Sequence, residues 1–411
     1  MSPTRKPKNS MGTLLVLAAV LLIGIFYTLS GTDPLGLFTP TQPATTTQIS
    51  ADAPTDVPVV EGTRPASSGT WWQVYFVTSQ RIRQADEENY GANGLPPEIL
   101  KGSITEKLIK HIDTAQKTIH IASFETDLVD VANALIRAKQ RGVDVRWITD
   151  NENGLDTDTK PGHGQFKLMK KAGILIIDDQ RGALMHDKFW LFDGKTVWTG
   201  STNITVSGMF EQNNNVISID SAKLSAIYER QFEDMWNGQF NSKSPSTVSE
   251  QQLTIDGTKI QVLFSPEDKA VSHIIPYIQS AKKSIRFLAF SYTQPDLGQA
   301  MLAAAKNSVS VSGVFEATGA ESEYGQMTPL FCAKIPVRTD GNYSFLHHKV
   351  IVIDNRFVIT GSLNFSDNAD QSNNENVIIL DNPTIAKLYS AEFQRVWDAG
   401  KDVDPTKIKC K

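Results

Sequence analysis

The sequence predicts an α/β protein built twice, two halves of one plan related as a pseudo-twofold dimer within a single chain. Three observations predict it. The polar set His186, Lys188, Asp193, Gly200, Ser201 and Asn203 returns as His347, Lys349, Asp354, Gly361, Ser362 and Asn364, every member shifted by 161 residues. Stretches of period two and period 3.6 alternate in the same order through both halves. The aromatic residues Tyr228, Phe232 and Trp236 map at the same offset onto Tyr389, Phe393 and Trp397. Their helical spacing makes them core residues rather than ligand contacts.

From the N-terminus, Arg5, Lys6 and Lys8 precede an uncharged apolar run over 11–29, about long enough to cross a bilayer as a helix. Basic residues on its leading side orient that end to the cytoplasm. Residues 1–30 are therefore read as a membrane anchor, and the chain as a single-pass membrane protein whose catalytic region is extracytoplasmic. A cleaved signal peptide with Ser30 before the cut is the alternative. Residues 31–70, rich in Pro, Thr, Ser and Ala, are read as a disordered linker.

The first domain, 71–240, opens with an apolar strand beginning at Trp71-Trp72. Ser103 and Glu106 form a capping box for a helix that presents Ile104, Leu108, Ile109 and Ile112 on one face. A strand over 118–124, a helix over 131–141 stopped by Gly142 and a strand over 143–149 follow. A short helix over 166–172, stopped by Gly173, and a strand over 174–178 lead to the first motif. Alternation over 184–192 predicts a strand with His186 and Lys188 on one face. Asp193-Gly194 then makes a tight hairpin turn, as Asp354-Asn355 does in the second copy. A strand over 215–220 and a helix over 222–236 close the half. A linker rich in Ser, Asn and Gln covers about 239–250. The second domain, 251–411, repeats the plan: 259–264 echoes the opening strand, and 284–290 echoes 118–124 at an offset of 166.

The repeated residue types suit an anionic phosphate. Lysine supplies a point charge to phosphate oxygens, and Ser and Asn supply hydrogen bonds. Histidine acts as nucleophile, acid or base near neutral pH, so two sets give both a nucleophile and an acid for the leaving group. Fold packing alone does not require every polar position twice.

The pattern His-x-Lys-x4-Asp-x6-Gly-Ser-x-Asn, complete in both copies, resembles the paired HKD motif of the phospholipase D superfamily over roughly residues 72–400. The resemblance implies two phospholipase D-like repeats, each a mixed sheet flanked by helices, with both motifs meeting in one shared active site within a monomer. It implies a phosphodiesterase that works through a phosphohistidine and needs no cofactor and no metal. His186, Lys188, Asp193, His347, Lys349 and Asp354 are the catalytic set, the aspartates in a supporting role. Ser201, Asn203, Ser362, Asn364 and Glu375 are the substrate-binding set. The expected substrate is a phospholipid, whose phosphatidyl group passes to water or, as in cardiolipin synthase-like relatives, to an alcohol. A nuclease acting on nucleic acid is the alternative. The N-terminal helix supplies the membrane partner. The family usually places after Gly-Ser-x-Asn an acid that hydrogen-bonds a catalytic histidine. Glu375 stands there in the second copy and Asn214 in the first. Either the two histidines differ in basicity, or His186 finds its acid elsewhere.

Charge and cysteines add less. The net charge of the 411-residue chain is −5, whereas generic nucleic-acid binders are basic. Asp150, Glu152, Asp156 and Asp158 in one half, and Glu316, Glu321 and Glu323 in the other, give acidic loops after the central strands. Such loops suit a cationic head group or a plain solvated surface. Two cysteines, Cys332 and Cys410, have no metal-ligand spacing and are candidates for a disulfide.

Overall fold

The structure, a computed structural model, describes residues 65–66, 71–77, 79–240 and 246–410. The first half contributes strands β1 (Pro65–Ala66), β2 (Trp72–Phe76), β3 (Thr118–Ser123), β4 (Asp144–Thr149), β5 (Leu175–Asp178), β6 (Lys188–Phe192), β7 (Thr196–Gly200) and β8 (Asn215–Asp220). The second contributes β9 (Gln252–Ile255), β10 (Thr258–Ser265), β11 (Ser284–Ala289), β12 (Ser310–Phe315), β13 (Val337–Thr339), β14 (Lys349–Ile353), β15 (Phe357–Gly361), β16 (Glu375–Asp381) and β17 (Lys401–Asp402). Each half forms one mixed sheet. The orders are β1-β2-β8-β7-β6-β3-β4-β5 and β17-β13-β12-β11-β14-β15-β16-β10-β9. The α/β class and the twofold repetition expected from the sequence are therefore present.

Local chemistry explains the elements. Ser103 Oγ accepts from the Glu106 amide at 3.1 Å and the Glu106 carboxylate from the Gly102 amide at 2.8 Å. That box opens the helix Ile104–Thr114, whose Ile104, Leu108 and Ile112 are buried. The hairpin turns hold Asp193 and Gly194 at φ 55° and 62°, and Asp354 and Asn355 at 54° and 51°, the left-handed region that short hairpin turns require. Gly200 and Gly361 answer to another constraint. A Cβ on either would lie 2.1 Å from the carbonyl oxygen of Asn215 or Asn376.

Each sheet buries its outer face under helices. Ile104–Thr114 and Val129–Gln140 cover the first; Ala270–Ser280 and Pro295–Lys306 cover the second. The inner faces share a third core with the helices Ala222–Trp236 and Pro383–Ala399. Tyr228, Phe232, Tyr389 and Phe393 are buried in it, with Trp236 and Trp397 packed against it. Phe264 of the second half sits edge-on to Phe189 and Tyr228 of the first, at 6.4 and 5.3 Å between ring centres. Truncating such a ring to alanine costs about 3–5 kcal/mol.

Cys332 and Cys410 are joined as a disulfide with a Cα separation of 5.4 Å. It pins the C-terminal tail to the helix Met327–Cys332. The sequence alone left this pairing open.

One expectation is corrected. Among the described residues no helix is long and apolar enough to cross a membrane. The run 11–29 lies outside the described residues, as does nearly all of the 31–70 stretch. A single-pass localisation with an extracytoplasmic catalytic region is therefore not supported. The expectation rested on the apolar run 11–29 and on the basic residues Arg5, Lys6 and Lys8 before it.

Candidate active site

The expected motif strand over 184–192 is shorter in the structure. β6 begins at Lys188, because the backbone before it leaves its own sheet for the opposite half. His186 N donates to Asn374 O, and Asn374 N to Leu184 O, both at 2.9 Å. The second copy mirrors this: His347 N donates to Asn213 O and Asn213 N to Phe345 O, both at 2.9 Å. Each motif histidine is thus stitched to the residue just before the other half's Asn214 or Glu375. Asn215 Nδ2 reaches Thr360 Oγ1 at 2.9 Å, and Asn376 Nδ2 reaches Thr199 Oγ1 at 2.7 Å, closing the seam behind the site.

The side chains cross the same seam. His186 Nδ1 lies 2.8 Å from Glu375 Oε2, which also accepts from Ser362 Oγ at 2.6 Å. His347 Nδ1 lies 2.9 Å from Asn214 Oδ1, which accepts from Ser201 Oγ at 2.7 Å. Ser201 and Ser362 therefore orient the histidines' partners instead of facing an open cleft, and Glu375 serves a histidine, outside the substrate-binding group in which it was placed. Both carbonyl-type oxygens only accept, so each Nδ1 carries a proton and each Nε2 is left free.

Lys188 Nζ donates to His186 O at 3.0 Å and Lys349 Nζ to His347 O at 2.8 Å. Phe124 and Phe290 floor the two sides. Each ring packs edge-on to its histidine, at 5.0 and 4.8 Å, and lies under its lysine, at 5.1 and 4.8 Å. Burial lowers the affinity of these groups for protons. His186 falls below the ordinary imidazole value although Glu375 opposes the shift. His347 falls well below it, from burial and then Lys349 and Lys188. Lys188 is pushed down to about 8 by burial, and Lys349 falls well below the usual ammonium range. An arriving anion offsets the crowded positive charge and restores protons to the site.

The Oδ1 atoms of Asn203 and Asn364 are buried and unpartnered. Asp193 and Asp354 do not come to the cleft. They stand at the far ends of β6 and β14, about 17 Å along a strand from the motif lysines. Asp193 accepts from the amides of Gln116, Lys117 and Thr118 at 2.6–3.1 Å. Asp354 accepts from those of Lys282, Lys283 and Ser284 at 2.7–2.8 Å.

Two acids read as loop surface are interior clamps. Asp150 accepts from the Met185 amide at 3.1 Å, and Glu316 from the Leu346 amide at 2.6 Å. Each fixes the peptide preceding a motif histidine. The 166-residue offset that relates Phe124 to Phe290 also relates Asp150 to Glu316 and was the signal available for both pairs. Away from the cleft, His120, Glu229 and Glu233 bring possible metal-ligand atoms within 4.8 Å of one another. They are already paired, His120 with Glu229 and Glu233 with Arg146 at 3.1 Å. Stacked on Phe232, His120 occupies the place that the cation Arg286 takes over Phe393 in the second half.

The sequence matches the family model described as "Cardiolipin synthase, PLD-like domain" twice, over residues 108–236 and 274–397, together more than half the chain. The chain belongs to the phospholipase D-like family. The phospholipase D-like repeats resemble the mitochondrial cardiolipin hydrolase of Xenopus laevis, 34% identical over 131 residues. That match takes in 32% of this chain and 62% of the relative, so the chain spans under two thirds of the length of such relatives. A phospholipase D of Rickettsia conorii is 29% identical over 186 residues, 44% of this chain and 84% of the relative. The phosphatidylserine synthase of Haemophilus influenzae shares the phospholipase D-like fold. Its TM-score is 0.57 at 15% identity, with 74% of this chain and 86% of that one covered.

Proposed function

We propose that the chain is a phospholipase D-type phosphodiesterase that cleaves a phosphatidyl phosphodiester through a phosphohistidine on His186. The observation that carries this reading is the crossed pairing of His186 with Glu375 and of His347 with Asn214. A carboxylate on Nδ1 stabilises the positive charge that grows on an imidazole as Nε2 attacks phosphorus. The neutral amide on His347 leaves that ring free to give and take a proton. Lys188 and Lys349 hold the phosphoryl oxygens, with Asn203 and Asn364 donating beside them. Ser201 and Ser362 keep Asn214 and Glu375 in place. Asp193 and Asp354 tie the motif hairpins to the sheet.

In the first step the His186 Nε2–P bond forms, the P–O bond to the leaving alcohol breaks, and His347 protonates that oxygen. In the second, His347 takes a proton from water, the hydroxyl oxygen attacks phosphorus, and the P–N bond breaks. Replacing water by an alcohol turns hydrolysis into phosphatidyl transfer.

A lipid is favoured over a nucleic acid by the surroundings of His347. Phe290, which packs on that ring, lines a cavity of about 430 Å3 together with Tyr292, Phe315, Glu316 and Phe345. No Lys, Arg or His lines it. A polyanionic strand would meet no counter-charge there, whereas one head group needs none.

The test is covalent trapping with phosphatidyl-p-nitrophenol, whose leaving group needs little acid help. His347→Ala should accumulate a phosphatidyl adduct on residue 186 in digests analysed by mass spectrometry, and His186→Ala should accumulate none. An adduct on His347 in the His186→Ala protein reverses the two roles. Cleavage of single-stranded DNA, with phosphatidylcholine and cardiolipin left intact, selects the nuclease reading.

A further inference from the structure

The two halves of the site differ at one more place. After β3 the chain enters the cleft through Phe124 and then Glu125; after β11 it enters through Phe290 and then Ser291. The rings match, but the next side chain does not. Glu125 Oε1 accepts from Asn203 Nδ2 at 2.5 Å, so the carboxyl is fastened to the first motif's asparagine. Asn203 is the motif residue, and its own Oδ1 has no partner. In the second half the position equivalent to Glu125 is Ser291, which carries no carboxyl. A carboxyl group has thus been added on the His186 side alone, in a pocket otherwise arranged to attract an anion.

The neighbours of Glu125 set its charge. Burial pushes its carboxyl up to about 7; Lys188 and the Asn203 hydrogen bond oppose that, Asp150 adds to it, and Lys160 opposes it. Asp127, two residues on, is raised well above the carboxylate range, in part by Glu125 itself. An ionised carboxylate here would cancel the Lys188 charge and repel a phosphodiester oxygen. The neutral acid has a proton to donate.

We propose that Glu125 is a further substrate-contacting residue, which as the neutral acid, held at Oε1 by Asn203, donates from Oε2 to the phosphoryl oxygen that Lys188 holds. As the carboxylate it turns the same oxygen away. This rests on the phosphodiesterase reading and adds to it a substrate affinity that falls as pH rises.

The test compares the full chain with Glu125→Gln, an uncharged isostere of the acid that keeps an oxygen for Asn203. With phosphatidyl-p-nitrophenol as substrate, the ratio of variant to wild-type KM should move from near one at pH 5.5 to about tenfold lower at pH 8.5. Glu125→Ala should raise KM at pH 5.5. A ratio that stays constant across the range overturns the proposal, because a purely structural contact has no such dependence. Calorimetric titration with sulfate, whose charge is constant over this range, reads the same property without turnover. Wild type should bind it about tenfold more weakly than Glu125→Gln at pH 8.5 and equally at pH 5.5. Equal binding at both pH values overturns the proposal even in an active enzyme. The expected sulfate pattern in a protein that cleaves no phosphodiester removes the proposed function and overturns the substrate contact, leaving Glu125 only as a pH-dependent contact for an oxyanion.

Discussion

His186 lies 2.8 Å from Glu375, a residue of the opposite repeat, while His347 lies 2.9 Å from the amide of Asn214 in the mirrored position. The two histidines are therefore equivalent in place and unequal in chemistry. Glu375→Gln should lower kcat by about 100-fold and leave KM within a few-fold. Asn214→Asp should give His347 an opposite charge and move the alkaline limb of the kcat/KM profile up by about one pH unit. Both follow from pH–rate curves of purified variants. An alkaline limb unmoved by Asn214→Asp would separate His347 from the proton transfer.

Asp193 and Asp354 should matter to stability more than to turnover. Each gathers three backbone N–H groups. Burial alone would raise these carboxyls, but the amide donors more than reverse it, and both end below the usual range. A depressed folded value means stability present above the unfolded value and lost as pH falls through the folded one, so the contribution fades only below about pH 4. Asp193→Ala and Asp354→Ala should each cost about 1–3 kcal/mol. Thermal melts near pH 7, set beside kcat measured well below the melting range, read both effects.

Asp187, between His186 and Lys188, gives the opposite sign. It is fully buried and neither carboxyl oxygen has a hydrogen-bond partner. Burial, then Glu375 and Glu267, hold its carboxyl well above the ordinary value. A raised folded value means stability present below the unfolded value, near pH 4, and lost as pH rises through the folded one. Asp187→Asn should therefore melt higher than wild type at pH 8 by about 2 °C or more, with the gap closing toward pH 5. Equal gaps at both pH values would mean that Asp187 is not the titrating group.

Activity should persist in excess EDTA. In the proposed mechanism Lys188, Lys349 and the histidines supply the positive charge that a metal otherwise would. Rates of phosphatidyl-p-nitrophenol cleavage with and without chelator measure this. A loss restored by one added divalent ion would contradict the mechanism.

The repeat made much of the molecule legible before any coordinates. The succession of strands and helices along the chain and both hairpin turns follow from period, turn residues and a constant offset, whereas the meeting of the two motifs is what the family resemblance implied. What stayed hidden lies where the chain passes from one half to the other. Period two carries the strand back through residues 184–187, because alternation cannot record which sheet a backbone bonds to. Glu375 sits near Ser362 in sequence, yet it serves His186 because the register of the seam, and not sequence distance, decides its neighbour. Asp150 and Glu316 read as solvent-facing acids because composition cannot distinguish a surface carboxylate from one that holds a buried peptide.

The seam that stitches each histidine to the opposite half has a genetic consequence. In a homodimer of one repeat, a single codon would specify the partner of both histidines, so an acid on one side would force an acid on the other. Joining the copies in one chain gives each side its own codon. Residues 214 and 375 differ as Asn and Glu, and residues 125 and 291 as Glu and Ser. A change that would damage a symmetric assembly twice can here be tried once, so the two sides of one reaction can be tuned separately by ordinary point mutation.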